Sequence, residues 1–232
     1  MLNVICLKHG NKYGPVYVNN LYSMIERHLT VPHRFICFTD RPDGITPKIE
    51  IRMLPSGKEL SGWWWKPYIF KDDHFPSGDT NLFLDLDMVI VRNIDNLITH
   101  MPGQFLGLRD VGRVWNRGVD KLGSAVLRWQ SGTYGNIWSN LVADTAQTKK
   151  MTGDQDWIWN LHKNSVKFFP DKWIISYKWE ARTKDELVRI NGRLNFRNIR
   201  NVELDPATSI LAFHGTPDPH EVADPIIVDN WR

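Results

Sequence analysis

Short apolar runs alternate with amphipathic stretches along this chain, and the alternation predicts a sheet built from strand–helix–strand units. Asn3 to Leu7 form a first apolar run and read as a strand. The loop His9-Gly10-Asn11-Lys12-Tyr13-Gly14 follows, and Pro15 suits the first turn of a helix. Val18, Leu21, Tyr22, Ile25 and Leu29 then recur at helical spacing up to Pro32. Arg34 to Phe38 make a second strand, so the first forty residues are a βαβ unit. Its crossover is right-handed by rule, and its strands are parallel. Glu50 to Met53 read as a third strand, and Trp63 to Phe70 as a short helix carrying large apolar side chains into the core. Phe105 to Leu108, Ser124 to Trp129, Val166 to Phe169 and Ser209 to Phe213 are expected as later strands. Tyr134 to Ala146 and Gly153 to Leu161 are expected as helices. No repeat, low-complexity stretch or linker divides the chain, which predicts one compact α/β domain over residues 1–232.

One run carries candidate chemistry. In Asn81-Leu82-Phe83-Leu84-Asp85-Leu86-Asp87-Met88-Val89-Ile90-Val91, two carboxylates interrupt apolar residues that resume at once. Leu82 to Leu84 read as a strand buried on both faces, as in the middle of a parallel sheet. Asp85 and Asp87 then fall at its carboxyl end, where open α/β sheets bind their ligands. Residues two apart in an extended chain point to one side, so both carboxylates can face one object. They repel each other unless a cation stands between them, and a hard divalent ion carrying a phosphorylated ligand suits two oxygen anions. Asp-x-Asp arises readily by chance, and Asp154-Gln155-Asp156 is a second case in this chain. The setting raises its weight, because unpaired carboxylates are costly inside a run of Leu, Phe, Met, Val and Ile.

Composition narrows the field further. The 232 residues are 42% hydrophobic and 24% charged, as in an ordinary soluble globular protein with an ample core. A formal net charge of +3 with scattered basic residues gives no reason to expect a nucleic-acid partner. No apolar run has the length of a membrane span, and Met1 to His9 lack the basic and apolar regions of a signal peptide. Cys6 and Cys37, each inside a strand-like run, read as buried thiols in a reducing compartment. A cytoplasmic location, in a bacterium or a phage-infected cell, is the expectation. Eleven tryptophans are many for this size; most serve as core residues, although aromatic faces also stack on sugar rings.

Other polar positions stand where ligands are commonly held. The loop from His9 to Gly14 lies between strand and helix, where backbone N–H groups hold nucleotides, although it lacks a Gly-x-Gly-x-x-Gly fingerprint. Asp40 ends the second strand and serves either to start a turn or to bind a base or ribose. Lys66 is either a solvated helix lysine or a cation for phosphate. His214 closes the apolar run Ile210-Leu211-Ala212-Phe213 and is followed by Gly215 and Pro217. Such a histidine is often a partly buried hydrogen-bonding residue, yet neutral imidazole is also a common metal ligand. Asp154, Gln155 and Asp156 offer acceptors and an amide that suit sugar hydroxyls.

Taken together, these residues resemble a family. A strand ending Leu84-Asp85-Leu86-Asp87, a later Asp154-Gln155-Asp156 and a C-terminal Phe213-His214-Gly215 are similar to GT-A glycosyltransferases, nearest to glycosyltransferase family 8, which includes glycogenin and bacterial lipooligosaccharide galactosyltransferases. Small bacterial and phage glycosyltransferase-like proteins carry stretches similar to Lys12-Tyr13-Gly14, Cys37-Phe38-Thr39-Asp40 and Trp64-Trp65-Lys66 as well, in the same order. The resemblance implies a GT-A-like fold with a Rossmann-like, mainly parallel sheet. Residues 1–100 would form the nucleotide-sugar and metal-binding half, and 101–232 the acceptor half. It implies a nucleotide-sugar donor, usually UDP-linked, and Mn2+ or Mg2+ held by Asp85, Asp87 and His214. It would place His9, Gly10, Lys12, Tyr13 and Asp40 around the nucleoside, with Lys66 and Gly215 near the donor sugar or its phosphates. Asp154, Gln155 and Asp156 would surround the sugar and a carbohydrate or other hydroxyl acceptor. Retention of anomeric configuration is implied by family 8; an inverting reaction would need a base, for which Asp156 and Asp154 are the candidates. Two departures stand out. Thr216 and Asp218 occupy positions where relatives tend to have basic residues, and the usual Asn-Ser-Gly near the acceptor is replaced by Leu122-Gly123-Ser124-Ala125. A nucleotide-sugar hydrolase or sugar-phosphate nucleotidyltransferase, and a non-catalytic carbohydrate-binding protein on the same scaffold, are the other functions this sequence fits.

Overall fold

A computed structural model of the chain describes residues 1–57, 60–115, 120–181, 187–190, 193–196 and 204–232. Its spine is a seven-stranded sheet. The strands are β1 (Leu2–Lys8), β2 (His33–Thr39), β3 (Glu50–Met53), β4 (Thr80–Leu84), β6 (Leu106–Arg109), β7 (Leu122–Gln130) and β8 (Lys167–Phe168), in the order β3-β2-β1-β4-β7-β6-β8. Three short strands, β5 (Met88–Ile90), β9 (Ile174–Ser176) and β12 (Ile210–Ala212), form a second sheet in the order β5-β12-β9. Strands β10 (Leu187–Ile190) and β11 (Arg193–Phe196) pair as a hairpin.

The βαβ unit expected at the start is present. Helix α1 (Pro15–His28) crosses from β1 to β2, which run parallel. The sheet is mainly parallel, as expected, but β7 runs antiparallel to both its neighbours, β4 and β6. Strand β4 is buried on both faces. Leu82 and Leu84 face the core beneath α1, where Val4, Cys6, Val18, Leu21 and Ile25 pack. Phe83 faces the other core with Ile5, Phe38, Trp65 and Phe70. Alternate side chains thus feed two apolar layers, which makes the molecule a three-layer sandwich. Cys6 and Cys37 are directly opposite in the β1–β2 register, both buried as free thiols.

Several expectations are corrected. The stretch 134–146 is not one helix: α3 (Asn136–Ala143) stops at Asp144, and α4 (Gln147–Lys150) restarts after it. Asp144 accepts from the Ala146 N–H, the local side-chain-to-backbone bond that competes with helix. Trp63 to Phe70 fall within a 3-10 helix, Gly62–Phe70, where Pro67 supplies no N–H for a regular helical ladder. Trp64 and Trp65 are buried there, but Trp63 is 58% exposed. Helices α2 (Asp95–Thr99), α5 (Asp154–His162) and α6 (Pro225–Asn230) complete the outer layers. Among the described residues no helix is long and apolar enough to cross a membrane.

One largely buried histidine gives the fold an acid sensitivity. The His74 ring sits against Phe38, Tyr68 and Phe75, with centroids 4.8, 4.6 and 6.1 Å away. Burial pulls its pKa down to about 4, against Asp73 and with help from Arg52 and Lys71. The unfolded chain therefore binds a proton near pH 6.5 that the folded state refuses until about pH 4. Stability is lost as pH falls through that window, by up to about 3 kcal/mol. We expect His74→Phe to flatten the fall in unfolding midpoint between pH 7 and 4.5. Parallel pH profiles for variant and wild type would exclude the effect.

Candidate active site

The two sheets meet at the carboxylate pair. Strand β4 ends at Leu84, and the Asp85 N–H still donates to the Ala125 carbonyl of β7 at 2.8 Å. Leu86 is buried. The Asp87 carbonyl then accepts from the Phe213 N–H at 3.1 Å, and the chain continues as β5 beside β12. The apolar run is thus two strands of two sheets, and Asp85 and Asp87 occupy the step between them.

A cleft of about 440 Å3 opens over this step. It gathers His9, Lys12, Tyr13, Lys66, Asp85, Asp87, Asp154 and Gln155 from the positions expected on sequence. Lys66 is its centre. The ammonium, 7% exposed, lies 3.0 Å from Asp85 Oδ1 and 3.3 Å from Asp154 Oδ2. It also donates to the Ser124 carbonyl at 3.1 Å and to Ser124 Oγ at 3.0 Å. Ser124 Oγ in turn donates to Asp154 Oδ2 at 2.5 Å. Lys66 is therefore a buried partner of carboxylates, not a solvated helix lysine. Burial alone would lower its pKa, but Asp154 and Asp85 outweigh burial and raise it. Tyr13 donates its hydroxyl to Asp87 Oδ2 at 2.8 Å. Burial and the Asp87 charge push that phenol far above its ordinary range, so it remains a donor.

Negative charge exceeds positive charge here. Burial drives the Asp85 pKa up to about 7; Lys66 opposes the rise, and Asp87 and Asp154 add to it. Asp87 is also raised, by burial first, with Tyr13 and Lys12 acting against it. Three acidic side chains thus share one buried ammonium. Hard oxygen donors with uncompensated charge suit a hard divalent cation. His214 is not among the residues that line the cleft. Its Nε2 is 2.7 Å from Ser176 Oγ, and Trp179 packs against the ring with centroids 4.2 Å apart. Burial lowers the His214 pKa to about 4, so the ring is neutral at pH 7. Among the described residues, no three His, Cys, Asp or Glu side chains are grouped to hold an ion.

Asp40, Gly10, Gly215 and Asp156 lie apart from the cleft lining. Asp40 Oδ1 accepts from the Gly10 N–H at 3.0 Å, which fixes the loop after β1 and leaves His9 on the cleft wall. Gly10 has φ +65°, a left-handed conformation that glycine adopts freely. Gly215 follows His214 beyond β12, also with positive φ. Asp156 lines a neighbouring hollow and pairs with Lys121 at 2.9 Å. Gln155 donates to Asp110 Oδ2 at 3.3 Å.

Ser124, Thr152 and Trp63 are among the cleft residues not anticipated as site residues. Ser124 had no local signal beyond a departure from the family pattern. Thr152 lies in a loop. Trp63 stands at the mouth, where a Cβ on Gly153 would come within 3.3 Å of its indole nitrogen.

No protein-family model matches the sequence, and no curated protein matches it. Solved structures do match in fold. The apo form of the glycosyltransferase GlyE of Streptococcus pneumoniae TIGR4 superposes with a TM-score of 0.64 at 15% identity, over 99% of this chain and 60% of that one. The galactosyltransferase LgtC, in complex with donor and acceptor sugar analogs, gives 0.60 at 13% identity, over 94% of this chain and 88% of that one. The bifunctional glycosyltransferase WbbM gives 0.61 at 12% identity, over 99% of this chain and 49% of that one. This chain thus spans most of LgtC but only about half the length of WbbM. The fold is GT-A-like.

Proposed function

We propose that this protein is a glycosyltransferase that moves a sugar from a nucleotide sugar, a UDP-sugar first among them, to a hydroxyl acceptor. The observation that carries the proposal is the surplus of carboxylate at half-buried Asp85 and buried Asp87, at the floor of a cleft on a GT-A-like fold. Asp85 and Asp87 would hold Mn2+ or Mg2+, and His214, whose Nε2 is engaged with Ser176, would join them through Nε2 only by leaving that partner. When bound, such an ion supplies Lewis-acid stabilisation of the charge that develops on a departing diphosphate. The chain's own residues do the rest. Lys66 holds Asp85 and Asp154 at fixed positions despite their mutual repulsion. Tyr13 orients Asp87. The loop from His9 to Tyr13, braced by Asp40 through Gly10, forms the wall on which a nucleoside would rest. Gln155 and Asp154 face the space a sugar would take, and the exposed Trp63 indole offers a stacking surface at the mouth.

Retention is the stereochemistry we favour. An inverting reaction needs a carboxylate free to take a proton from the acceptor. Asp154 is bonded to Ser124 and Lys66, and Asp156 to Lys121. Both candidates for that role are occupied by cations.

The test is nucleotide release from a panel of nucleotide sugars with Mn2+, with Mg2+ and with chelator. Release from one donor, abolished by chelator and accelerated by an acceptor, is expected. Release that ignores added acceptors would favour a hydrolase. Neither release nor metal-requiring UDP binding would leave the non-catalytic carbohydrate-binding function standing.

A further inference from the structure

Two hollows of about 380 Å3 each continue from the cleft along the surface of α5. The cleft and the first hollow share Thr152; the first and second share Asp120 and Trp159. The three therefore form one path, starting at Trp63 and Gln155 and running past Trp159 to Lys167. Trp159 is half-buried at the junction, its ring 6.0 Å from that of Phe168, so part of an indole lines both hollows. Asn160 adds an amide to the wall of the first.

The charge along this path is uneven. Asp156 is already paired with Lys121, and Asp120 with Arg109. Lys150 in the first hollow and Lys163 and Lys167 in the second are exposed and have no acidic partner among the described residues. Both acids of the two hollows are matched, and three ammonium groups are left over. A neutral glycan would gain hydrogen bonds from them but no charge pairing. A glycan bearing carboxylates or phosphates would meet a cation at successive positions, with an indole and an amide between them for its sugar faces and hydroxyls. We infer that this path is an acceptor-binding groove, and that the acceptor is an extended anionic glycan whose distal residues lie over Trp159 and the three lysines. The inference rests on the transferase proposal for the identity of the cleft, but the binding it predicts needs no turnover. A single-stranded nucleic acid is less well matched: Asp156 and Asp120 line the path beside the lysines, and a phosphate backbone would pass close to both.

Binding is therefore tested without donor, by calorimetry at low salt, using hexagalacturonate, maltohexaose and hexathymidylate as probes. Hexagalacturonate should bind, and maltohexaose should bind at least about tenfold more weakly, the size expected from three surface charge pairs. The combined variant Lys150→Ala, Lys163→Ala, Lys167→Ala should lose about tenfold in hexagalacturonate affinity, with an unchanged unfolding midpoint. Its donor-only nucleotide release should match wild type, because none of the three lines the cleft. Equal affinity for maltohexaose, an unaffected triple variant, no binding of hexagalacturonate, or tighter binding of hexathymidylate would each overturn the groove. Hexagalacturonate binding that the triple variant loses, in a protein that releases no nucleotide, would uphold the groove and count against the transferase.

Discussion

Replacing Lys66 with methionine is expected to cost about 3 kcal/mol of stability near pH 8, because it leaves buried Asp154 and half-buried Asp85 without their cation. The ammonium contacts Asp85, Asp154 and Ser124 together, so no other described side chain can take its place. The loss should shrink in acid. An unfolded Asp releases its proton near pH 3.9, whereas Asp85 in the native protein holds one to about pH 7 even with Lys66 beside it. Without Lys66 that value moves higher still. Between the two values the native state binds more protons than the unfolded state, so the variant's stability falls as pH rises. Denaturant unfolding at pH 5 and pH 8 reads this directly. Adding Asp85→Asn to the variant should recover part of the loss at pH 8, as coupled neighbours do. A deficit of the same size at both pH values would show that packing, not charge, is what Lys66 supplies. Nucleotide release should fall as well, since Asp85 and Asp154 would no longer be held in place.

What could be read from the sequence, and what could not, follows from how local each feature is. The βαβ start and the doubly buried β4 were legible because apolar periodicity is a local property. The carboxylate pair was legible because it breaks an apolar run. That the run divides between two sheets was not, since β5 has three residues and is defined by its partner β12. Ser124 reaches Lys66 only through the β4–β7 register, in which Asp85 bonds to Ala125. No signal within β7 reports that. The tryptophan run looked uniformly buried, yet the 3-10 helix repeats every three residues. Trp63 and Lys66 therefore share the edge that lines the cleft, while Trp64 and Trp65 turn to the core. His214 shows the remaining limit. Its place after β12 follows from the pattern, but the direction of its ring depends on Ser176 and Trp179, which come from another part of the chain.

Asp87→Asn should move stability and function in opposite directions. Asp87 is buried, one residue from Asp85, and the nearest lysines are Lys66, already engaged, and Lys12 at the rim. An asparagine removes the charge that burial disfavours and keeps an oxygen to accept from Tyr13. In the absence of metal the variant should unfold about 1 kcal/mol later than wild type, a rise of roughly 2–4 °C in midpoint. With Mn2+ the order should reverse. An ion at about a hundred times its dissociation constant stabilises a folded protein by about 2.7 kcal/mol, and the variant should lose most of that gain. Chelator-sensitive nucleotide release should drop on the order of 10^3-fold, the several kcal/mol a Lewis acid contributes to a developing diphosphate. Binding sites commonly hold charge that the empty fold disfavours, because a ligand, not the protein, is to neutralise it. An Asp87→Asn protein that is less stable without metal would mean that the carboxylate belongs to the architecture. One that still gains stability from Mn2+ as wild type does would place the ion elsewhere.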